Sequence, residues 1–200
     1  MSKKKSIIEV ATRLFAAKGV KETSIAEISK LTGAAEGTIY HHFKTKEELF
    51  LAILKNVKDG ILEEFESYSS EKTYQDGLGK VENIILFYLY LAGKQEDWFF
   101  LLHRHYPYEL ATTNATCRNL LEEIYNCLVE IFEAAILEGM EDGSIGDLPS
   151  RKTALIIFSL VNGLVWFKIH NLYDAGALYM ELISACRRML KNDNLNKQVN

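Results

Sequence analysis

Between Ala34 and Lys46 the residue types change from small to hydrogen-bonding: Ala34, Ala35 and Gly37 come first, then Thr38, Tyr40, His41, His42, Lys44 and Lys46. Small side chains let a backbone approach another molecule closely, and the polar side chains that follow can donate or accept hydrogen bonds. On a helix, Ile39 and Phe43 lie one turn apart on one side; Glu36, Thr38, His41 and His42 cannot all share that side, so several face outward. Thr38 and His41, three residues apart, suit a base edge or a thymine methyl group. Tyr40, Lys44 and Lys46 can reach phosphates, and Ser24, at the start of a preceding helix, can add another phosphate contact. Glu36 repels phosphate unless it accepts a hydrogen bond from cytosine N4. The chemistry implied is recognition of double-stranded DNA.

These residues need a scaffold that holds one short helix out from a packed unit. Apolar positions at Ile7, Val10, Ala11, Leu14 and Phe15 predict an amphipathic helix over Ser6 to Lys18, stopped by Gly19. Ser24 and Glu27 have the spacing of a capping box and open a second helix through Leu31, with Gly33 as its stop. A third helix follows from Ala35 to Phe43. Two short helices joined through a glycine satisfy the helix-turn-helix pattern, in which the second helix enters the major groove. Thr45 then caps a longer helix, Lys46 to Tyr68, which carries Leu49, Ile53, Val57, Ile61 and Phe65 on one stripe and ties the module to a larger body.

In the body, punctuating glycines and prolines predict five helices: Leu78 to Ala92, Glu96 to Tyr106, Asn114 to Leu137, Ser150 to His170 and Ala177 to Lys191, with a frayed end over Asn192 to Asn200. Ser150 to His170 is apolar on nearly all sides and must be covered all round. The remaining helices can cover one side, so the other is expected to meet a second copy in a two-fold homodimer. Its apolar core, Ala154 to Phe167, is about 14 residues, too short to span a bilayer, and no membrane partner is expected. Most of the aromatic residues belong to the core. A pocket for a mainly apolar small molecule is nevertheless expected from Phe87, Tyr90, Trp98, Phe99, Tyr125 and Trp166, with His103, Arg104 and Asn162 as polar anchors and an acidic ligand end near Arg104 or His103.

The net charge of -4 argues by itself against binding a polyanion, but it hides an asymmetry. Up to Lys46 there are nine lysines and arginines against four acids, so the basic charge is concentrated in the first quarter. Three widely spaced cysteines, Cys117, Cys127 and Cys186, read as buried free thiols in a cytoplasmic protein. No secretory leader is expected, and the residues show no nucleophile elbow, phosphate-binding glycine loop or metal-ligand spacing. The expectation is a non-enzyme with no cofactor and no metal.

The run Thr23-Ser-Ile-Ala-Glu-Ile28, followed by Gly33-Ala-Ala-Glu-Gly-Thr-Ile-Tyr-His-His-Phe-Lys-Thr-Lys-Glu-Glu-Leu49, resembles the signature of the TetR family of repressors. The resemblance covers roughly Ile7 to Phe50. It implies an all-α fold of about nine helices, with a DNA-binding domain over residues 1–46 and a ligand-binding and dimerisation domain over 47–200. It further implies a dimer made by the last two helices and a repressor released from a palindromic operator by its ligand. A ligand-independent DNA-binding protein or a helical interaction protein are the alternatives. One departure concerns Ala35: many relatives place Ser or Thr there, whose hydroxyl caps the recognition helix, and alanine cannot do so.

Overall fold

A computed structural model of the chain describes residues 2–70, 72–174 and 176–191; the expected frayed end, Asn192 to Asn200, lies outside them. The described residues form ten α-helices, one 3-10 turn and no strand. The helices are α1 (Lys3–Lys18), α2 (Ile25–Thr32), α3 (Glu36–His42), α4 (Lys46–Ser69), α5 (Gly77–Lys94), α6 (Glu96–Leu102), α7 (His105–Ala111), α8 (Ala115–Asp142), α9 (Ser150–Ile169) and α10 (Tyr179–Leu190).

The described residues pack as two compact units, one within 2–63 and 95–124 and the other within 64–94 and 125–191. Residue 46 marks the end of the helix-turn-helix in sequence, but packing draws the line elsewhere because α6 lies against α1. In the first unit the fully buried side chains include Ile7, Phe15, Ile28, Ile39, Leu49, Phe50 and Ile53, each contributing roughly 1.5–3 kcal/mol by leaving water. Phe50 of α4 links α1 to α7, its ring 6.4 Å from Phe15 and 5.1 Å from Tyr106.

Two helix boundaries differ from expectation for identifiable reasons. The helix expected from Glu96 to Tyr106 is two helices, with Arg104 extended between them. Pro107 explains the break: in a continuous helix its ring would strike the carbonyl of His103 and its missing N–H would orphan it, so the helix restarts at His105 and places the proline in a first turn. The helix expected to stop at Leu137 runs on to Asp142, through Gly139. That glycine marks a close approach, since a Cβ on Gly77 would lie 2.2 Å from the Gly139 nitrogen and one on Gly139 2.5 Å from Ile145 Cδ1. The last predicted helix begins as a 3-10 turn over Gly176–Leu178.

The second unit is built from α5, α9 and α10 with the later part of α8. Its core includes Ile84, Tyr88 and Leu91 of α5, Phe132 and Ile136 of α8, Ile157 and Val161 of α9 and Cys186 and Leu190 of α10. The expectation about bilayer length is corrected, because the apolar stretch lies in a 20-residue helix, α9, that is apolar enough by length and composition to cross a membrane. Its inner side packs on α5 and α10, whereas Leu155, Ile156, Leu160 and Trp166 face outward. Cys117 and Cys186 are buried and Cys127 half-buried. Burial pushes the thiols of Cys117 and Cys186 up to about 11, with Glu47 and Glu82 adding to it respectively, so neither is a ready thiolate.

Candidate nucleic-acid interface

The first unit holds α3 out by local means. Ser24 Oγ accepts from the Glu27 amide at 3.2 Å while the Glu27 carboxylate accepts from the Ser24 amide at 3.1 Å, the reciprocal cap that fixes the start of α2. Lys18 bonds the same carboxylate, and its amine is the main cause that holds Glu27 below the usual carboxylate range. At the end of α2, Gly33 takes the left-handed conformation with φ +67°, which turns the chain sharply into α3. Thr32 Oγ1 secures that turn by donating to the Ile28 carbonyl at 2.7 Å and accepting from the Ala34 amide at 3.2 Å.

On α3 only Ile39 is buried, and Phe43 closes the helix against the core in extended conformation. Glu36, Gly37, Tyr40, His41 and His42 are exposed and Thr38 is half-exposed. Thr38 and His41 lie side by side on the outer surface, and the His41 and His42 rings meet edge-on at 5.4 Å. Ala35 is the N-cap of α3 and supplies no side-chain cap; the Thr38 and Ile39 amides share its carbonyl at 2.8 and 3.2 Å. Ala35→Ser is therefore expected to stabilise the first unit by about 1 kcal/mol through a new cap bond, read as a higher urea midpoint with an unchanged m-value.

Lys44 is exposed beyond α3, and its backbone amide donates to Glu48 at 2.7 Å, while Thr45 Oγ1 accepts from the Glu48 amide at 3.1 Å; the pair opens α4. Ser24 is exposed at the start of α2, with its hydroxyl engaged in the capping box. Lys46 corrects the expectation of a phosphate-reaching amine. Its Nζ donates to the carbonyls of Val20, Lys21 and Thr23 at 2.9, 3.0 and 2.9 Å, which employs all three of its donors in the turn between α1 and α2.

The expected effector residues fall in both units. Trp98, Phe99, His103 and Arg104 belong to the first unit, and Phe87, Tyr90, Tyr125, Asn162 and Trp166 to the second. Phe87 and Phe99 are core residues, and His103 Nδ1 is 3.0 Å from the Phe99 carbonyl oxygen. Trp98 packs over Gly60, where a Cβ would meet its ring at 2.4 Å. Arg104 is a second correction. Its guanidinium donates to the Ala16 carbonyl from Nε at 2.9 Å and to the Ala17 carbonyl at 2.7 Å, capping the negative end of α1 instead of awaiting an acidic ligand.

In the second unit Tyr125 and Asn162 converge through Tyr88 and Phe158, which the sequence did not single out for a pocket. Tyr88 donates to Asn162 Oδ1 at 2.6 Å, and the Phe158 ring lies 5.5 Å from Tyr88 and 6.0 Å from Tyr125. Tyr90 instead meets Tyr68, the two rings tilted with their centroids 5.5 Å apart. Nothing in the sequence pairs Tyr88 with a residue 74 positions away.

The family model for bacterial regulatory proteins of the tetR family matches residues 7–53. The HTH-type transcriptional regulator AcrR of Shigella flexneri is 30% identical over 164 residues, covering 80% of this chain and 74% of that protein. Among solved structures, a transcriptional regulator of Saccharomonospora viridis in complex with choline superposes with a TM-score of 0.80 at 19% identity, over 90% of this chain and 92% of that one. The regulator FadR of Bacillus subtilis in complex with stearoyl-CoA superposes with a TM-score of 0.72 at 24% identity, over 91% and 96%.

Proposed function

The chain belongs to the TetR family of bacterial regulatory proteins, and from that premise we propose that it is a cytoplasmic homodimeric repressor that leaves a palindromic operator when a mainly apolar small molecule enters its second unit. The observation that carries the reading is the exposed face of α3, where Thr38, Tyr40, His41 and His42 stand on a short helix held outward by a tight turn and an apolar anchor, Ile39.

A single module of this size reads few base pairs. Two of them, fixed by a two-fold axis, read half-sites about one DNA turn apart. The uncovered apolar side of α9 supports that axis. For the effector, the support is the Tyr88, Tyr125 and Phe158 cluster with its one polar pair at Asn162, together with the stearoyl-CoA bound by the Bacillus subtilis relative. A polar end would be held there, since Arg104 is occupied by α1. The helices α4 and α8 each contribute to both units and are the elements through which occupancy of the second unit can reset the recognition helices. The effector must favour the DNA-incompetent arrangement, and operator must weaken effector binding by the same factor.

The test is binding of the purified protein to its own upstream DNA across a salt series, with and without stearoyl-CoA. Tight, salt-sensitive binding that Tyr40→Ala weakens about tenfold and stearoyl-CoA reverses is expected. Specific binding that no apolar compound reverses would indicate a ligand-independent DNA-binding protein. No specific binding, there or in a random-sequence selection, would indicate a helical interaction protein.

A further inference from the structure

We propose that Lys3, Lys4 and Lys5 form a second DNA-contact surface that grips the phosphodiester backbone of duplex flanking each operator half-site, an inference that rests on the operator-binding reading above. These three consecutive cations are the densest positive charge in the chain, and they are held in a helix. Ser2 caps α1, its Oγ accepting from the Lys5 amide at 3.2 Å and its carbonyl from the Ser6 amide at 3.1 Å, so the lysines form a structured first turn.

Their placement is electrostatically inverted. A helix start carries partial positive charge and favours Asp or Glu, as α2 and α4 show with Glu27, Glu47 and Glu48; the first turn of α1 has no acid. Among the described residues none of the three lysines forms an ion pair. Three adjacent ammonium groups that oppose both the helix dipole and one another make sense when a polyanion is the partner.

The fold puts this turn where such a polyanion would run. Lys4 Nζ lies over the Phe43 ring, 5.7 Å from its centroid, and Phe43 is the residue that closes α3. The basic turn therefore flanks the C-terminal end of the recognition helix, next to exposed Lys44. Successive helical residues step about 100° round the axis, so the three stems fan out in different directions and their flexible ends can reach separate phosphates instead of meeting at one. Ammonium groups on long flexible stems recognise phosphate charge without reading bases, so the contact adds affinity and leaves sequence preference unchanged. An anionic lipid surface fits less well, because the apolar residues that follow, Ile7 and Val10, are buried in the core and offer nothing to insert.

The test uses the full-length protein, a duplex recovered by selection from random sequence, and two lengths of it: one with about ten base pairs of flank on each side and one trimmed to the core. For K3Q/K4Q/K5Q on the flanked duplex, affinity is expected to fall about a hundredfold or more at about 0.2 M salt. The slope of log K against log salt is expected to lose roughly three to five units of its magnitude, as up to six phosphates per dimer are released. Wild type and variant should bind the trimmed duplex alike, K3R/K4R/K5R should keep the slope, and the glutamine variant should melt no lower than wild type. An unchanged slope on a flanked duplex that the wild type binds specifically overturns the proposal and leaves the operator reading standing. Loss of binding to phosphatidylglycerol vesicles with no change on DNA also overturns it. If the wild type selects no duplex at all, the operator reading itself has failed.

Discussion

Replacing Leu160 by glutamate is expected to leave the protein monomeric at micromolar concentration and to weaken operator binding at least a hundredfold. Leu155, Ile156 and Leu160 are 45, 51 and 45% exposed on α9 of a single chain, and Met180 at the start of α10 is 68% exposed. Ile156, Leu160, Gly163 and Phe167 recur at helical spacing, with Ser159 and Gly163 small enough for a second helix to come close. If the partner is a second copy about a two-fold axis, each substitution enters the interface twice, and two carboxylates are stripped of water near one another without a counter-charge. The monomer should survive, because Leu160 already faces water and glutamate is a good helix former. Operator affinity falls because the second half-site is no longer delivered at the effective concentration, around millimolar, that a linked partner provides. Light scattering after size exclusion and anisotropy on the operator read the two effects together. A Leu160→Glu dimer with wild-type operator affinity would show that this face of α9 is not the interface.

The helix-turn-helix was legible because its determinants are local. A capping box needs only Ser24 and Glu27 three apart, the turn needs Gly33, and the outward set on α3 follows once Ile39 and Phe43 are assigned inward. The break between α6 and α7 was visible in Pro107 but misplaced, since proline disrupts the carbonyl four residues before it, not its immediate neighbour. Lys46 and Arg104 were misread for another reason. Their partners are backbone carbonyls at Val20, Lys21 and Thr23 and at Ala16 and Ala17, and a carbonyl is a feature every residue shares, so no side-chain pattern announces the bond. The aromatic residues of the second unit were the least legible, because an aromatic residue in a wall and one in a core have the same sequence signature. Phe87 proved core, Trp166 outward-facing and Tyr88 the unexpected partner of Asn162.

Lys46→Met is expected to destabilise the first unit by about 2–3 kcal/mol, because a charged donor bonded to several carbonyls contributes more than a neutral one and its loss leaves part-buried acceptors at Val20 and Thr23. The unfolding constant would rise thirtyfold or more. The turn held by Lys46 sets where α2 begins, and α2 sets where α3 points, so operator affinity should fall with stability while the salt slope stays at its wild-type value. A phosphate contact at Lys46 would do the reverse: the slope would lose about one unit per protomer and the urea midpoint would not move. Lys44→Gln supplies that second pattern for comparison, since Lys44 is exposed. Lys46→Arg should rescue only part of the loss, for a planar guanidinium fork cannot aim three donors at three carbonyls arranged around one point as an ammonium does. Amide exchange over residues 19–25 would locate the damage: faster exchange confined to this turn in Lys46→Met, and absent in Lys44→Gln, is the outcome that a structural lysine requires.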